Sequence, residues 1–273
     1  MKVLLTGHSG FIGQHLLKLL LKRRIKLFIT KYKNLKIPKD KNIDIIDLSK
    51  IQNTFESFDL VIHCAWRRLD NYNSDDHIKK IFVENLNFLK KLILSGAQNI
   101  VVLGTCFELG KCTDEVTENA RMKPVTAYGA AKKKLLLNLI SLQKRFNFNL
   151  TWIRIFYLFG ENQRDKSLFS QIIKSNKHRN KFFFLTEGMQ QRDYLDVNVL
   201  AKKIIEISFI KKNIGILNLC SGRPITIKEL VNKWKKKFKW KIKFIFGVKK
   251  INKYEPYKFW GSIRKLNYIL NNN

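Results

Sequence analysis

Acidic residues are scarce in this chain. Only 21 Asp and Glu stand against 53 Lys and Arg in 273 residues, a formal net charge of +32. Such a balance invites a nucleic-acid partner. The lysines, however, are spread along the whole sequence among Ile, Asn and Phe rather than gathered in a basic tail. Their densest stretch, Lys228 to Lys243, interleaves Leu230, Val231, Trp234 and Phe238 at helical spacing, so its lysines are expected on the solvated face of a helix. No nucleic-acid partner is expected. Cysteine is equally sparse, and Cys64, Cys106, Cys112 and Cys220 show none of the spacings that bind a metal, so no metal is expected. Long apolar runs are missing too. No stretch of about 20 residues is apolar and free of charge, as a membrane-spanning helix requires. The chain opens directly on a strand, without a signal-peptide pattern. These absences point to a reduced, cytoplasmic protein with no membrane partner. With 45% hydrophobic residues, there is ample material for one large domain or a domain with a lobe.

What the chain does contain is concentrated at its start. Val3 to Leu5 form a short apolar run, long enough for a buried strand. Gly7, Gly10 and Gly13 follow at G-x-x-G-x-x-G spacing, and His15 to Leu21 reads as a helix. Strand, glycine turn and helix together distinguish a dinucleotide site from a glycine-rich turn without a ligand. Gly7 permits the tight turn, Gly10 a close approach to a pyrophosphate, and Gly13 the packing of helix on strand. Ser9, Phe11 and Ile12 lie on the same turn and are further candidates for cofactor contact, since the helix N-terminus faces the phosphates.

Strands and helices then alternate without internal repeat, the pattern of a doubly wound α/β protein. A second strand ends at Thr30-Lys31-Tyr32-Lys33. No carboxylate stands where this fold holds the ribose hydroxyls of NAD, and two cations stand there instead. NADP, as NADPH, is therefore expected over NAD, with Lys31 beside the 2′-phosphate. A third strand, Ile43 to Leu48, places Asp47 and Leu48 by the adenine, with a helix near Ile51 to Phe58. Leu60 to Trp66 forms a fourth strand that includes Ala65, and a helix from about Asp75 to Ser95 carries Asn85. Asn99 to Gly104 is a fifth strand, Leu150 to Phe159 a sixth, and Gly215 to Cys220 another. The expected fold is a doubly wound parallel sheet of the Rossmann type with a small C-terminal substrate-binding lobe. Residues 1–160 would form the dinucleotide-binding domain, with 196–222 returning to it, and 161–195 and 223–273 would form the lobe.

Pro124-Val125-Thr126-Ala127-Tyr128-Gly129-Ala130-Ala131-Lys132 opens a helix on which Tyr128 and Lys132, four apart, share a face. Thr105 follows the fifth strand at its C-terminal end, where open α/β sheets place their ligands. Together with Thr6 to Gly13, Asp59 to Ala65, Asn85, Arg154 to Gly160, Gln191 to Val197 and Asn218 to Gly222, this ordered series resembles the extended short-chain dehydrogenase/reductase family. The resemblance is to its nucleotide-sugar epimerases, dehydratases and reductases, and it covers nearly the whole chain.

The resemblance implies roles. Tyr128 would exchange a proton with the substrate oxygen, Lys132 would favour the phenolate and bind the nicotinamide ribose, and Thr105 would hydrogen-bond the reacting oxygen. Asn85 would stand by the cofactor, and Arg192 would grip the nucleotide diphosphate. Cys106, Phe107 and Tyr157 would face the substrate. A homodimer is implied as well, with Leu135, Leu136, Leu139 and Leu142 as the apolar stripe. Departures from the family pattern narrow the chemistry. Dehydratases of the group carry Asp and Glu directly after the catalytic hydroxyl residue, and Cys106 and Phe107 stand here. What remains is reduction of the C4 ketone of an NDP-4-keto-6-deoxyhexose in deoxysugar or surface-glycan biosynthesis, or 4-epimerisation of an NDP-sugar with a retained NAD.

Overall fold

Val3, Leu4 and Leu5 have no exposed surface, because a central parallel strand is covered on both faces and needs an unbroken apolar run. The computed structural model describes residues 1–31, 43–47, 57–163, 165–250 and 256–272. Within them, seven strands form one sheet: β1 (Lys2–Thr6), β2 (Lys26–Lys31), β3 (Ile43–Asp47), β4 (Leu60–His63), β5 (Asn99–Thr105), β6 (Asn149–Ile155) and β7 (Gly215–Leu219). All neighbours are parallel, in the order β3-β2-β1-β4-β5-β6-β7. The order reverses between β1 and β4, and sheets of this kind bind ligands at such a reversal, outside the carboxyl ends of the strands.

The helices are α1 (Gly13–Leu20), α2 (Phe82–Leu94), α3 (Ala127–Gln143), α4 (Leu168–Lys177), α5 (Val197–Ser208), α6 (Ile227–Lys237) and α7 (Arg264–Asn271). On one face of the sheet Leu16, Leu20, Leu200, Ile204 and Leu266 bury α1, α5 and α7 against the strands. On the other, Leu89, Leu92, Leu135 and Leu139 bury α2 and α3. Two separate cores on one sheet make the fold doubly wound, as the alternation of elements requires. A third core holds the lobe together. There Phe169, Ile172, Phe183, Val231, Trp234 and Trp240 join α4 and α6 to a parallel pair of short strands, Phe182–Phe184 and Lys243–Ile245. Helix α6 opens on a capping box, with the Thr226 hydroxyl accepting from Glu229 N at 3.1 Å and the Glu229 carboxylate from Thr226 N at 3.2 Å. Its Leu230, Val231 and Trp234 are buried and most of its lysines exposed, as the spacing predicts.

Several expectations change. Helix α7 does not belong to the lobe. Its Leu266 and Ile269 pack into the sheet core, and Lys265 Nζ donates to the carbonyls of Ile214 and Ile216 at 2.8 and 2.6 Å. The sixth strand ends at Ile155, and Tyr157–Phe159 leaves the sheet to pair with Tyr194–Asp196. The helix expected from Asp75 begins as a π-helix, His77–Ile81, and becomes α-helical only at Phe82. Leu135, Leu136 and Leu139 have no exposed surface, because they face the sheet, so they offer no stripe to a second subunit. Tyr32, Lys33, Leu48 and the helix expected near Ile51 lie outside the described residues, as do the side chains of Lys31 and Asp47. Among the described residues no helix is long and apolar enough to cross a membrane.

Candidate active site

The glycine turn is built by close approach. Gly7 has φ +70°, and a Cβ there would meet the backbone nitrogen of Ala65 at 2.7 Å, so strands β1 and β4 can meet at their ends only around a glycine. A Cβ on Gly13 would lie 2.0 Å from the Gly7 carbonyl oxygen, so α1 can start on the turn only there. Beneath the turn runs a chain of fixed hydrogen bonds. The Asn85 amide donates to the Ile81 carbonyl at 2.7 Å, which leaves its oxygen to accept from His63 Nε2 at 2.7 Å. His63 Nδ1 then accepts from the Thr6 hydroxyl at 2.9 Å, and the Thr6 oxygen accepts from the backbone of Cys64 and Ala65. Burial, with the Lys132 charge beside it, lowers the His63 pKa to about 3, so the ring stays neutral. Asn85 therefore holds the sheet under the cofactor turn, and Asn85 and Ala65 both lie outside the cavity lining.

That cavity has a volume of about 1040 Å³ and runs from the glycine turn to the lobe. Gly7, Gly10, Phe11, Ile12 and Gly13 line one end, and Phe169, Phe183, Gln190 and Tyr194 the other. Thr105, Tyr128 and Lys132 line the middle, with Cys106, Phe107 and Tyr157. The structure thus brings together nearly all the expected catalytic and substrate-facing residues. Ser9 and Arg192 are outside the lining. Arg192 is 1% exposed, and its guanidinium donates to the carbonyls of Gln191 and Tyr257 and lies 5.6 Å from the Tyr157 ring. It stands behind the Tyr157 wall, not on the cavity surface.

Each catalytic side chain is placed by its element. Thr105 ends β5 and caps the short 3-10 turn Cys106–Glu108, its hydroxyl accepting from Phe107 N at 3.3 Å. The Glu108 carboxylate reaches back to Thr105 N at 2.8 Å. Glu108 is a positioning residue that the functional reading of the sequence passed over, although Thr-x-x-Glu is a capping-box signature. Thr126 caps α3 by accepting from Gly129 N at 3.1 Å, which turns Tyr128 and Lys132 inward. A Cβ on Gly129 would meet the Phe107 carbonyl at 2.3 Å, so the residue after Tyr128 has to be glycine for α3 to lie on the Thr105 turn. Thr105 and Tyr128 line the cavity together, and the Thr105 hydroxyl offsets part of the effect of burial on the Tyr128 phenol. Lys132 Nζ donates to the Leu103 carbonyl at 2.7 Å and lies 4.1 Å from the Trp66 ring centre. Burial draws its pKa down to about 8, against the pull of Glu108 and Cys64. Burial pushes the Tyr128 phenol well above its ordinary value, so in this state it is protonated. Cys106 is buried and its thiol is also pushed up, which fits packing and not proton transfer.

A family model described as the NAD dependent epimerase/dehydratase family matches residues 3–208. The chain belongs to that family. As a member of this NAD-dependent epimerase/dehydratase group, it has relatives that modify nucleotide sugars. It is 25% identical to a dTDP-6-deoxy-L-talose 4-dehydrogenase (NAD(+)) of Aggregatibacter actinomycetemcomitans, over 96% of this chain and 100% of that one. A dTDP-4-dehydro-6-deoxyglucose reductase of Escherichia coli is 27% identical over 84% and 79% of the two chains. Among solved structures, a UDP-N-acetylglucosamine 4-epimerase from Methanobrevibacter ruminantium superposes with a TM-score of 0.82 at 21% identity, over 98% and 91% of the chains. A UDP-glucuronic acid 4-epimerase from Bacillus cereus, in complex with its sugar nucleotide and NAD, gives 0.81 at 20% identity, over 100% and 94%. The glycine turn fits the family's cofactor: Gly10 and Gly13 line the cavity, and α1 starts on it. The aromatic residues Trp66, Tyr72 and His77, which surround Tyr128, were not singled out in the sequence. Tyr72 sits on a connection without periodicity. Trp66 lies beyond the fourth strand, which ends at His63 and not at Trp66 as expected. His77 opens the helix expected from Asp75, so no spacing rule links the three.

Proposed function

We propose that the protein reduces the C4 ketone of an NDP-4-keto-6-deoxyhexose. The observation that carries this is the meeting of Thr105, Tyr128 and Lys132 in one cavity with no acid or base at positions 106 and 107. The bound nicotinamide cofactor supplies the hydride. Tyr128, held protonated by burial, gives its proton to the ketone oxygen, and Thr105 hydrogen-bonds the same oxygen. Lys132, charged below about pH 8, stabilises the phenolate left behind and meets the nicotinamide ribose. Removal of water from the sugar would need a further acid and base. The nearest carboxylate in sequence, Glu108, is fully buried and bonded to Thr105 N, Trp152 and Arg154. Trp66, Leu69, Tyr72, Phe107 and Tyr157 wall the cavity beside Tyr128, a largely apolar surface suited to a 6-methyl group. The names of the Aggregatibacter and Escherichia relatives, both acting at C4 of deoxysugar nucleotides, support the same reading.

NADPH is the proposed donor, on the strength of the Lys31 end of β2. Arg192, buried behind Tyr157, is proposed to back that wall of the substrate cavity and not to grip the diphosphate itself. The protein is proposed to work in the cytoplasm as a homodimer. The test is incubation of NADPH and NADH with a panel of NDP-4-keto-6-deoxysugars, followed by cofactor absorbance. Consumption of reduced cofactor with release of a 4-hydroxy product supports reduction. Interconversion of 4-hydroxy epimers without net consumption would assign the site to a 4-epimerase with retained NAD.

A further inference from the structure

We propose that His77 is the positioning residue of the catalytic helix, pinning the segment 66–77 across the N-terminus of α3 and so holding Tyr128 in place. The inference rests on Tyr128 being the proton donor of the proposed reaction.

His77 has no exposed surface and is the first residue of the π-helix. Its Nδ1 lies 3.1 Å from the indole nitrogen of Trp66, and its Nε2 lies 2.9 Å from the Asn71 carbonyl oxygen. An indole N–H can only donate and a carbonyl can only accept. The ring is therefore the neutral tautomer with its proton on Nε2, and turning it over would break both bonds. The next carbonyl along, that of Tyr72, accepts the backbone N–H of Tyr128 at 2.9 Å. Tyr128 is the second residue of α3, so its N–H is one of the four that a helix start leaves without an internal partner. The peptide at 71–72 is thus held by His77 at one carbonyl and holds the catalytic residue with the next.

The rings repeat the arrangement. Tyr72 stacks on Tyr128 with centres 5.3 Å apart and planes 20° apart, Trp66 meets it edge-on at 6.0 Å, and His77 lies at 5.4 Å. Trp66 also covers the Lys132 ammonium. Trp66 and Tyr72 line the cavity and His77 does not, so any effect of His77 on turnover passes through its neighbours.

Three variants test this. His77→Phe keeps a ring but leaves the Trp66 N–H and the Asn71 carbonyl without it. His77→Gln offers one acceptor and one donor. Trp66→Phe removes the donor and trims the indole while keeping a six-membered ring toward Tyr128 and Lys132. Misplacement of a reacting group by about 1 Å costs on the order of 10²-fold in rate, so His77→Phe should lower kcat by roughly 10–100-fold while leaving KM for the cofactor within about two-fold. His77→Gln should recover most of that loss. Because the two residues act as one unit, Trp66→Phe added to His77→Phe should cost no more than about a further two-fold. Hydrogen exchange across 66–76 and the first turn of α3 should be faster by about ten-fold or more in His77→Phe and near normal in His77→Gln. Near-normal kcat in a folded His77→Phe protein would overturn the proposal, as would a double variant whose losses multiply. If His77→Phe does not fold, slow turnover in His77→Gln equal to that of Trp66→Phe overturns it. If the wild type reduces no 4-keto sugar, the proposed reaction has failed, and unchanged exchange protection over 66–76 in the variant separately sinks the pin.

Discussion

The guanidinium of Arg154 lies 3.3 Å from the carboxylate of Glu108, and neither side chain is exposed. Arg154 comes from β6, and its Nη1 reaches the Asn218 side chain on β7 and the Glu118 carbonyl. Glu108 also accepts from Trp152 Nε1 at 3.1 Å. The pair therefore ties the turn that carries Thr105 to two strands of the sheet.

Removing one partner of a buried ion pair leaves the other charge uncompensated and costs about 3–5 kcal/mol. Glu108→Gln keeps an acceptor for Thr105 N but removes the charge opposite Arg154. Denaturant unfolding should show a loss of that order, and a change below about 1 kcal/mol, the range of exposed pairs, would show that the pair is not what holds the turn.

Tyr128→Phe removes only the phenolic oxygen. Folding and cofactor binding should be nearly unchanged, while turnover on the right 4-keto sugar falls by about 10²–10⁴-fold. Lys132→Ala should slow turnover and also weaken cofactor binding. Thr105→Val should cost less, since a neutral hydrogen bond is worth roughly 0.5–1.5 kcal/mol. Steady-state rates and cofactor titrations give the ordering, and near-normal turnover by Tyr128→Phe would move the acid elsewhere.

Turnover should fall as pH rises through about 8, where Lys132 loses its proton. Tyr128 is held above that range and His63, at about 3, below it, so neither titrates near neutrality. Stability should move the other way. The unfolded lysine keeps its proton up to 10.5 and the folded one only to about 8. Between those values the unfolded chain binds more protons, and stability rises with pH. A kcat/KM profile flat to pH 9.5, or wild-type unfolding with the same pH slope as Lys132→Met over that window, would contradict the assignment.

Titration of the purified protein should give tighter binding of NADPH than of NADH, because cations and no acid follow β2 in the sequence. Tighter NADH binding would remove the argument from Lys31 and add weight to the epimerase reading.

In solution at micromolar concentration the protein is expected to be a dimer. Leu137 on α3 and Val83 on α2 are 47% and 43% exposed, where the buried leucines of α3 offer nothing to a partner. Leu137→Glu should shift the mass measured by light scattering toward one chain, and a wild type that is already monomeric would end the expectation.

The local features of this protein were legible in its sequence because each follows from spacing along the chain. Three glycines after an apolar run specify a turn that no other residue fits at Gly7 and Gly13, and Tyr128 with Lys132 four residues on must share a helical face. The buried strands show as apolar runs, so the sheet was legible as well. What spacing cannot carry is the identity of the neighbour across space. Periodicity showed that α3 has an apolar stripe, yet whether the sheet or a second subunit covers it depended on how the helix docks. The same holds for α7, whose apolar face lies on the sheet core and not on the lobe. Glu108 and Arg154 are 46 residues apart, and only the pairing of β5 with β6 brings their charges together. Trp66 and Tyr72 lie on an irregular connection, and His77 opens the π-helical turn that follows it. They gather on Tyr128 because a helix start leaves backbone donors that something outside the helix has to satisfy.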